Sequence, residues 1–254
     1  GIGLLLALRD DRSFSWVNLL ELLLGPKARL RLALVVMVIA LVLTRSRTGN
    51  SAFFISLLLT GGLFVLIEKQ HRLRNSLILG SIILIDVLII SQYFGLEQLK
   101  DRLVNTQLRD VVVEGVVVQK STEDRPDVFA YALPLLLEKP LTGQGAGSFE
   151  TVFPQYPGAD IRAHFDHAHN DYLEFGIEYG LLGSLPLAAF ILLALWHALR
   201  ALWQRQSVYR SGVGFGASMG IIALLIHSGT DFNLQIPANA ATFIVLCAIA
   251  VLAG

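Results

Sequence analysis

The sequence predicts an all-α polytopic membrane protein, with about six transmembrane helices and one large outer-facing loop that contains a surface helix. Three observations predict this. Of the 254 residues, 54% are hydrophobic and 16% charged, and the mean hydropathy is +0.61, which is too apolar for an ordinary soluble domain. Apolar runs recur at close to the ~20 residues that cross a hydrocarbon core. Basic residues collect in alternate short connections, as the positive-inside rule requires of cytoplasmic loops. The formal net charge is zero, so nothing in bulk attracts nucleic acid, and charge acts locally. The one cysteine, Cys247, sits in an apolar run and has no partner for an intrachain disulfide.

Residues 1–29 read as the end of a preceding membrane segment and an interfacial stretch. Gly1 to Leu8 is apolar, Arg9 to Arg12 breaks it, and Phe14 to Leu24 carries Glu21, so it lies at the interface or belongs to a truncated helix. The chain starts at Gly1 rather than Met and stops at Gly254 within an apolar segment, so it is expected to be part of a longer membrane protein. Residues 30–94 hold three predicted spans, Leu30 to Leu43, Ala52 to Ile67 and Leu77 to Phe94, none with proline. Residues 95–170 form the large loop. Residues 171–254 hold three more spans, Leu181 to Leu199, Val213 to Ile226 reaching about Thr230, and Ala238 to Leu252.

Lys27, Arg29 and Arg31 precede the first span, Lys69, Arg72 and Arg74 separate the second and third, and Arg200, Arg205 and Arg210 separate the fourth and fifth. These connections alternate so as to share the cytoplasmic side. The large loop, Thr44 to Ser51 and the turn His227 to Pro237 then face the periplasm or cell exterior.

Three polar patches fall on that outer face. In the first, TRSRTGN from Thr44 to Asn50, Arg45 and Arg47 break the positive-inside tendency. They either snorkel to lipid headgroups or offer guanidinium forks to a phosphorylated lipid. The second lies in the loop. Glu97 to Val118 begins with helical spacing and ends in a β-branched run, which leaves helix and strand both open. Glu123 or Asp124 then caps an amphipathic helix with Pro126 in its first turn and Pro134 further along, predicted to run along the membrane surface to Lys139. Arg125 stands at its start, and Gly143, Gly145 and Gly147 after it suit a tight turn with positive φ.

The third patch, AHFDHAHNDYLEF, packs His164, His167, His169, Asp166, Asp171 and Glu174 just ahead of a span. Polar groups that dense need water or chemistry around them. His167-x-His169-x-Asp171 resembles part of a metal-hydrolase ligand set, but such sites need more histidines, and downstream only His197 and His227 follow. Gly216-Ala217-Ser218-Met219-Gly220 matches G-x-S-x-G, yet inside an apolar run small residues serve close helix approach rather than nucleophilic attack. General-base catalysis by one histidine is the third reading, since an imidazole near neutral pKa at a wet surface can take a proton from a hydroxyl.

These residues also carry a family resemblance. His169-Asn170, nine residues, then Gly180-Leu181-Leu182-Gly183 matches the H-N-x9-G-x-x-G motif of the O-antigen ligase and polymerase superfamily. Ser46-Arg47-Thr48-Gly49 resembles that family's S-R-x-G segment. Arg125 with its helix, Lys139-Pro140-Leu141 and Gly143-x-Gly145-x-Gly147-x-Phe149 resemble its loop signature, and HSGTDFNLQIP from His227 to Pro237 its penultimate turn. The resemblance covers about Leu30 to Gly254.

It implies a C-type glycosyltransferase of the bacterial inner membrane, multi-pass, with its active face periplasmic and with no cofactor or metal ion. The donor would be an undecaprenyl-diphosphate-linked glycan, and the acceptor lipid A core, a growing glycan or a protein. Arg47 and Arg125 would hold the donor diphosphate, and His169 would activate the acceptor hydroxyl for inverting attack. Asn170 and Tyr172 would orient His169 or hydrogen-bond sugar, Asn170 being otherwise a helix cap, while His167 would tune the site, bind acceptor or lie at the surface. Asp231, four residues after His227, is expected on the same helical face and paired with it at the rim of the site. Protein O-oligosaccharyltransferase activity and non-enzymatic carriage of a polyprenyl-linked glycan are the alternatives. Family members have around ten or more spans, so this chain would be the C-terminal portion.

Overall fold

The computed structural model describes residues 2, 26–44, 46–67, 73, 76, 79–80, 83, 111–113, 116–119, 125–155, 164–204 and 207–254. Arg45, the stretch Phe14 to Leu24 and most of the predicted third span lie outside them. In chain order the elements are α1 (Pro26–Leu43), α2 (Arg47–Ile67), β1 (Val111–Val113), β2 (Val116–Gln119), α3 (Arg125–Glu138), the short α4 (Phe149–Val152) running into a 3-10 turn (Phe153–Gln155), α5 (Asp171–Gln204), α6 (Val208–Ser228), a second 3-10 turn (Asn233–Gln235) and α7 (Pro237–Ala253). The helical class holds with one addition. The β-branched run of the large loop resolves as a two-stranded antiparallel hairpin, with Val112 opposite Val117 and Val113 opposite Val116, as crowding at Cβ favours in valine.

Two compact units divide the chain. The first comprises residues 1–90, 191–227 and 240–254, and the second residues 91–190 and 228–239. In the first, Leu57, Phe64, Leu202, Phe215 and Met219 form a buried cluster, with Phe64 and Phe215 edge to face at 5.8 Å. Gly214 lets α6 approach the second half of α5, where a Cβ would stand 2.8 Å from the Ala198 carbonyl and the Ala201 methyl. Gly220 does the same against Leu246, and Ser218 is fully buried between them. In the literal G-x-S-x-G match, Ser218 is thus buried in the helix packing and Gly220 gives close approach to Leu246. Large apolar side chains such as Val36, Met37, Leu58, Leu59, Leu192, Leu193, Trp196 and Val245 point outward. In water that surface would be a liability; in lipid it is the solvated face.

Thr48–Ile67, Asp171–Gln204 and Val208–Ser228 are long and apolar enough to cross a membrane. The apolar helices at Leu32–Leu41 and Pro237–Ala253 are shorter. Contacts within the first unit pair the helix ends. Arg210, at the start of α6, donates to the carbonyls of Ala253 and Gly254 at the end of α7, satisfying acceptors that a helix C-terminus leaves open. At the opposite end of α6, a Cβ on Gly49 would lie 3.7 Å from the His227 ring, so the beginning of α2 and the end of α6 share one end of this unit.

The second unit is built on α3, whose residues Val128, Ala132 and Leu135 repeat at helical spacing and bury one face. They pack with Phe149, Phe153, Ala168 and Ile177. Gly176 admits Leu136, whose methyl would be 2.8 Å from an added Cβ.

Helix α5 is broken at Gly180, where φ is 60° and ψ is −168°. A break strands carbonyls before it and amides after it, and the segment from Pro140 to Gly145 meets both sets. Gln144 N–H donates to Ile177 O at 2.7 Å and Gly145 N–H to Glu178 O at 2.9 Å. Leu181 N–H donates to Pro140 O at 2.8 Å and Leu182 N–H to Leu141 O at 3.0 Å. The Ser184 hydroxyl closes the bend on Phe175 O. A Cβ at Gly180 would stand 2.5 Å from the Leu141 carbonyl, and one at Gly183 2.7 Å from Tyr179 Cβ. The G-x-x-G pair and the glycine-rich turn are thus two halves of one joint. Gly143, Gly145 and Gly147 take the positive φ expected of them. The apolar part of α5 begins at Leu181, as the hydropathy predicts, but the helix itself starts ten residues earlier, at Asp171.

Candidate active site

Ser46 opens the first motif as the N-cap of α2, its hydroxyl accepting the Gly49 amide at 3.0 Å. Arg47 is the first residue of that helix and Arg125 the first of α3. Arg47 belongs to the first unit, with His227, whereas Arg125 belongs to the second, with the histidine cluster.

Asn170 is the N-cap of α5: its side-chain oxygen accepts the amides of Tyr172 at 3.1 Å and Leu173 at 3.2 Å. That is the capping role weighed against catalysis in the sequence. Tyr172 is exposed, and Asp171 is turned inward, where its carboxylate accepts the Leu234 amide at 3.0 Å.

His169 sits immediately before the cap in a left-handed conformation, with φ of 51°, the one non-glycine residue with positive φ among the described residues. Such strain gathers at functional sites and persists only where neighbours over-determine it. Its Nδ1 lies 3.4 Å from Asp231 Oδ1. The ring is edge to face with Phe232 at 4.9 Å and with Phe165 at 6.2 Å. Phe165 in turn meets Phe153, which stacks on Phe149, so the ring is the end of an aromatic column rooted in the core.

The expectation that Asp231 and His227 share one helical face is corrected here. Helix α6 stops at Ser228, so Asp231 stands in the following turn, where it accepts its neighbour's amide from Phe232 and faces His169. Hydropathy carried the predicted span to Thr230, and nothing in it marks the end of the hydrogen-bonded helix.

His167 points away from His169's carboxylate to another. Its Nδ1 is 2.7 Å from Glu174 Oε1, and its ring stacks on Phe232 at 4.5 Å and 18°. The second oxygen of Glu174 accepts the Ala168 amide at 2.8 Å. One turn further along α5, Glu178 accepts the Phe149 amide at 3.2 Å. Asp171, Glu174 and Glu178 share one face by their spacing of three and four residues, and each holds the backbone of a different loop. Sequence reading missed this use of Glu174 and Glu178, although that spacing was the available signal. All three carboxylates precede the Gly180 break and lie outside the apolar segment. Burial lifts the Glu174 carboxyl above the ordinary glutamate range, against the pull of His167 and the Ala168 amide. Burial lifts Asp171 likewise, with Ser228 and the Leu234 amide pulling against it.

With His167 on Glu174, His169 on Asp231 and Asp171 on a backbone amide, the H-x-H-x-D residues diverge and do not form a ligand set. Among the described residues, the donors that converge are Glu150, His164 and Asp166, all exposed at the surface. The structure therefore brings together His167, His169, Asn170 and Asp231, with Tyr172 beside them.

A protein-family model described as O-antigen ligase matches residues 32–188. No curated protein matches the chain.

Proposed function

The chain belongs to the O-antigen ligase family, and we propose that it transfers a glycan from an undecaprenyl-diphosphate-linked donor to an acceptor hydroxyl at the periplasmic face of the bacterial inner membrane. The acceptor is lipid A core or a growing polysaccharide, both of which present sugar hydroxyls. His169 is the general base. With Nδ1 committed to Asp231, Nε2 takes the acceptor proton, and the Asp231 carboxylate stabilises the imidazolium that forms. The acceptor oxygen attacks the anomeric carbon as the bond to the phosphate oxygen breaks, which inverts the configuration. The electron pair leaves with the undecaprenyl diphosphate. Arg47 and Arg125 meet its charge, and two guanidinium forks supply electrostatic stabilisation without calling on a metal ion.

The observation that carries this reading is the His169 ring itself, held in a strained backbone conformation between Phe165 and Phe232 with a carboxylate on Nδ1. A non-enzymatic carrier has no use for such a base. The test is glycan transfer in a deletion strain complemented with the full-length protein, wild type against His169→Ala, with product resolved by gel and mass spectrometry. Transfer in the variant is expected to fall by ~100-fold or more, with donor binding retained. Equal product from both would remove the general base and favour a carrier.

A further inference from the structure

We infer that Glu174 and His167 form a positioning pair that sets the backbone and ring of His169, a proposal that rests on His169 acting as the base. The strained residue is pinned on both sides. After it, Asn170 is locked as the helix cap by two amides. Before it, both oxygens of a single carboxylate hold two consecutive residues, Oε1 on the His167 ring and Oε2 on the Ala168 amide. The Glu174 side chain is 2% exposed, so water does not compete for those oxygens and the bonds keep their direction. A left-handed conformation is unfavourable for a residue other than glycine. Anchors on residues 168 and 170 hold the chain on both sides of that conformation.

The pair also reaches the ring of His169. His167 lies flat on one face of Phe232, and Phe232 presents its ring to His169 and follows Asp231 directly in the chain. One chain of contacts thus runs from Glu174 through His167 and Phe232 to both the imidazole and the carboxylate that orients it. Of the roles considered for His167 from the sequence, this gives tuning of the site a physical form, in place of acceptor binding or a surface position. A general base misplaced by ~1 Å loses on the order of 100-fold in rate, so the pair acts on turnover while leaving donor binding alone.

The test measures turnover of the full-length protein in membranes with an undecaprenyl-diphosphate-linked glycan as donor, per folded protein counted by size exclusion of the detergent extract. Glu174→Gln, Glu174→Ala and His167→Phe are compared with His169→Ala. Glutamine retains one acceptor oxygen, and phenylalanine retains the stack on Phe232 while losing the bond to Glu174. The expected result is a kcat lower by roughly 10-fold for Glu174→Gln and His167→Phe and by more for Glu174→Ala, with donor and acceptor KM within about twofold of wild type. Wild-type kcat per folded protein in these variants, beside an inactive His169→Ala, would overturn the positioning role and leave the base in place. A raised acceptor KM at unchanged kcat in His167→Phe would overturn it in favour of acceptor binding. Should Glu174→Ala fail to accumulate, the two conservative variants decide alone. An active His169→Ala would overturn the general-base reading and this proposal with it.

Discussion

In the proposed reaction His169 becomes a cation between two aromatic rings, and Asp231 is the carboxylate beside it. The same Oδ1 also receives the Phe232 amide at 3.0 Å, so the carboxylate is held in the turn while it faces His169. Asparagine can keep the bond to Phe232 but carries no charge to balance an imidazolium. Asp231→Asn is therefore expected to lower kcat by on the order of 10- to 100-fold with donor KM unchanged. Steady-state transfer at varied donor concentration checks this, and wild-type turnover would reduce Asp231 to a turn residue. His169 and Asn170 were readable from their motif and Asp231 from its place in the penultimate turn. The partner of Asp231 was not readable, because 62 residues separate it from His169 and only the folded chain closes that distance.

Among the elements, α5 carries the most. Its first half presents three carboxylates to three loops, its middle is broken at Gly180, and its second half is apolar. The break is stabilised by four backbone hydrogen bonds from the segment Pro140 to Gly145, a fit that excludes a side chain. Gly180→Ala is expected to destabilise the full-length protein by about 2 kcal/mol or more, from left-handed strain plus overlap with the Leu141 carbonyl. Gly216→Ala, where an added Cβ meets nothing within 4 Å, is the control and should not lower stability. Thermal unfolding in detergent compares the two. Equal midpoints would mean that the joint can open to admit a methyl group. Hydropathy placed the start of the apolar segment at Leu181 because that is where the charges stop. The ten helical residues before it were invisible to hydropathy, since their acids are buried by loops that come from elsewhere in the chain.

For the whole molecule, charge and apolar length argue for one orientation, and the paired helix ends within the first unit agree with alternating passes. Arg210 meets the end of α7, and His227 meets the beginning of α2. On the proposed orientation, position 150 is periplasmic and position 207 cytoplasmic. Glu150→Cys, at an exposed position, should react with a membrane-impermeant maleimide in intact spheroplasts, whereas Ser207→Cys should react only after permeabilisation. The native Cys247 is buried and should contribute little background. Labelling of position 207 in intact spheroplasts, with position 150 protected, would invert the topology and put the proposed chemistry on the cytoplasmic side.

By itself the sequence determined the membrane class, the apolar segments of the described helices, and the ordered motifs that mark the family. These follow from local quantities, namely hydropathy, charge, and short spacings along one helix or turn. Only the tertiary structure decided that the valine run is a hairpin, that α6 ends before Asp231, and that the glycine motifs interlock. It likewise decided that His167 and His169 answer to different carboxylates. Each of those outcomes depends on which distant backbone amide or ring occupies the last few ångströms, and hydrogen-bond and van der Waals energies are set at that range.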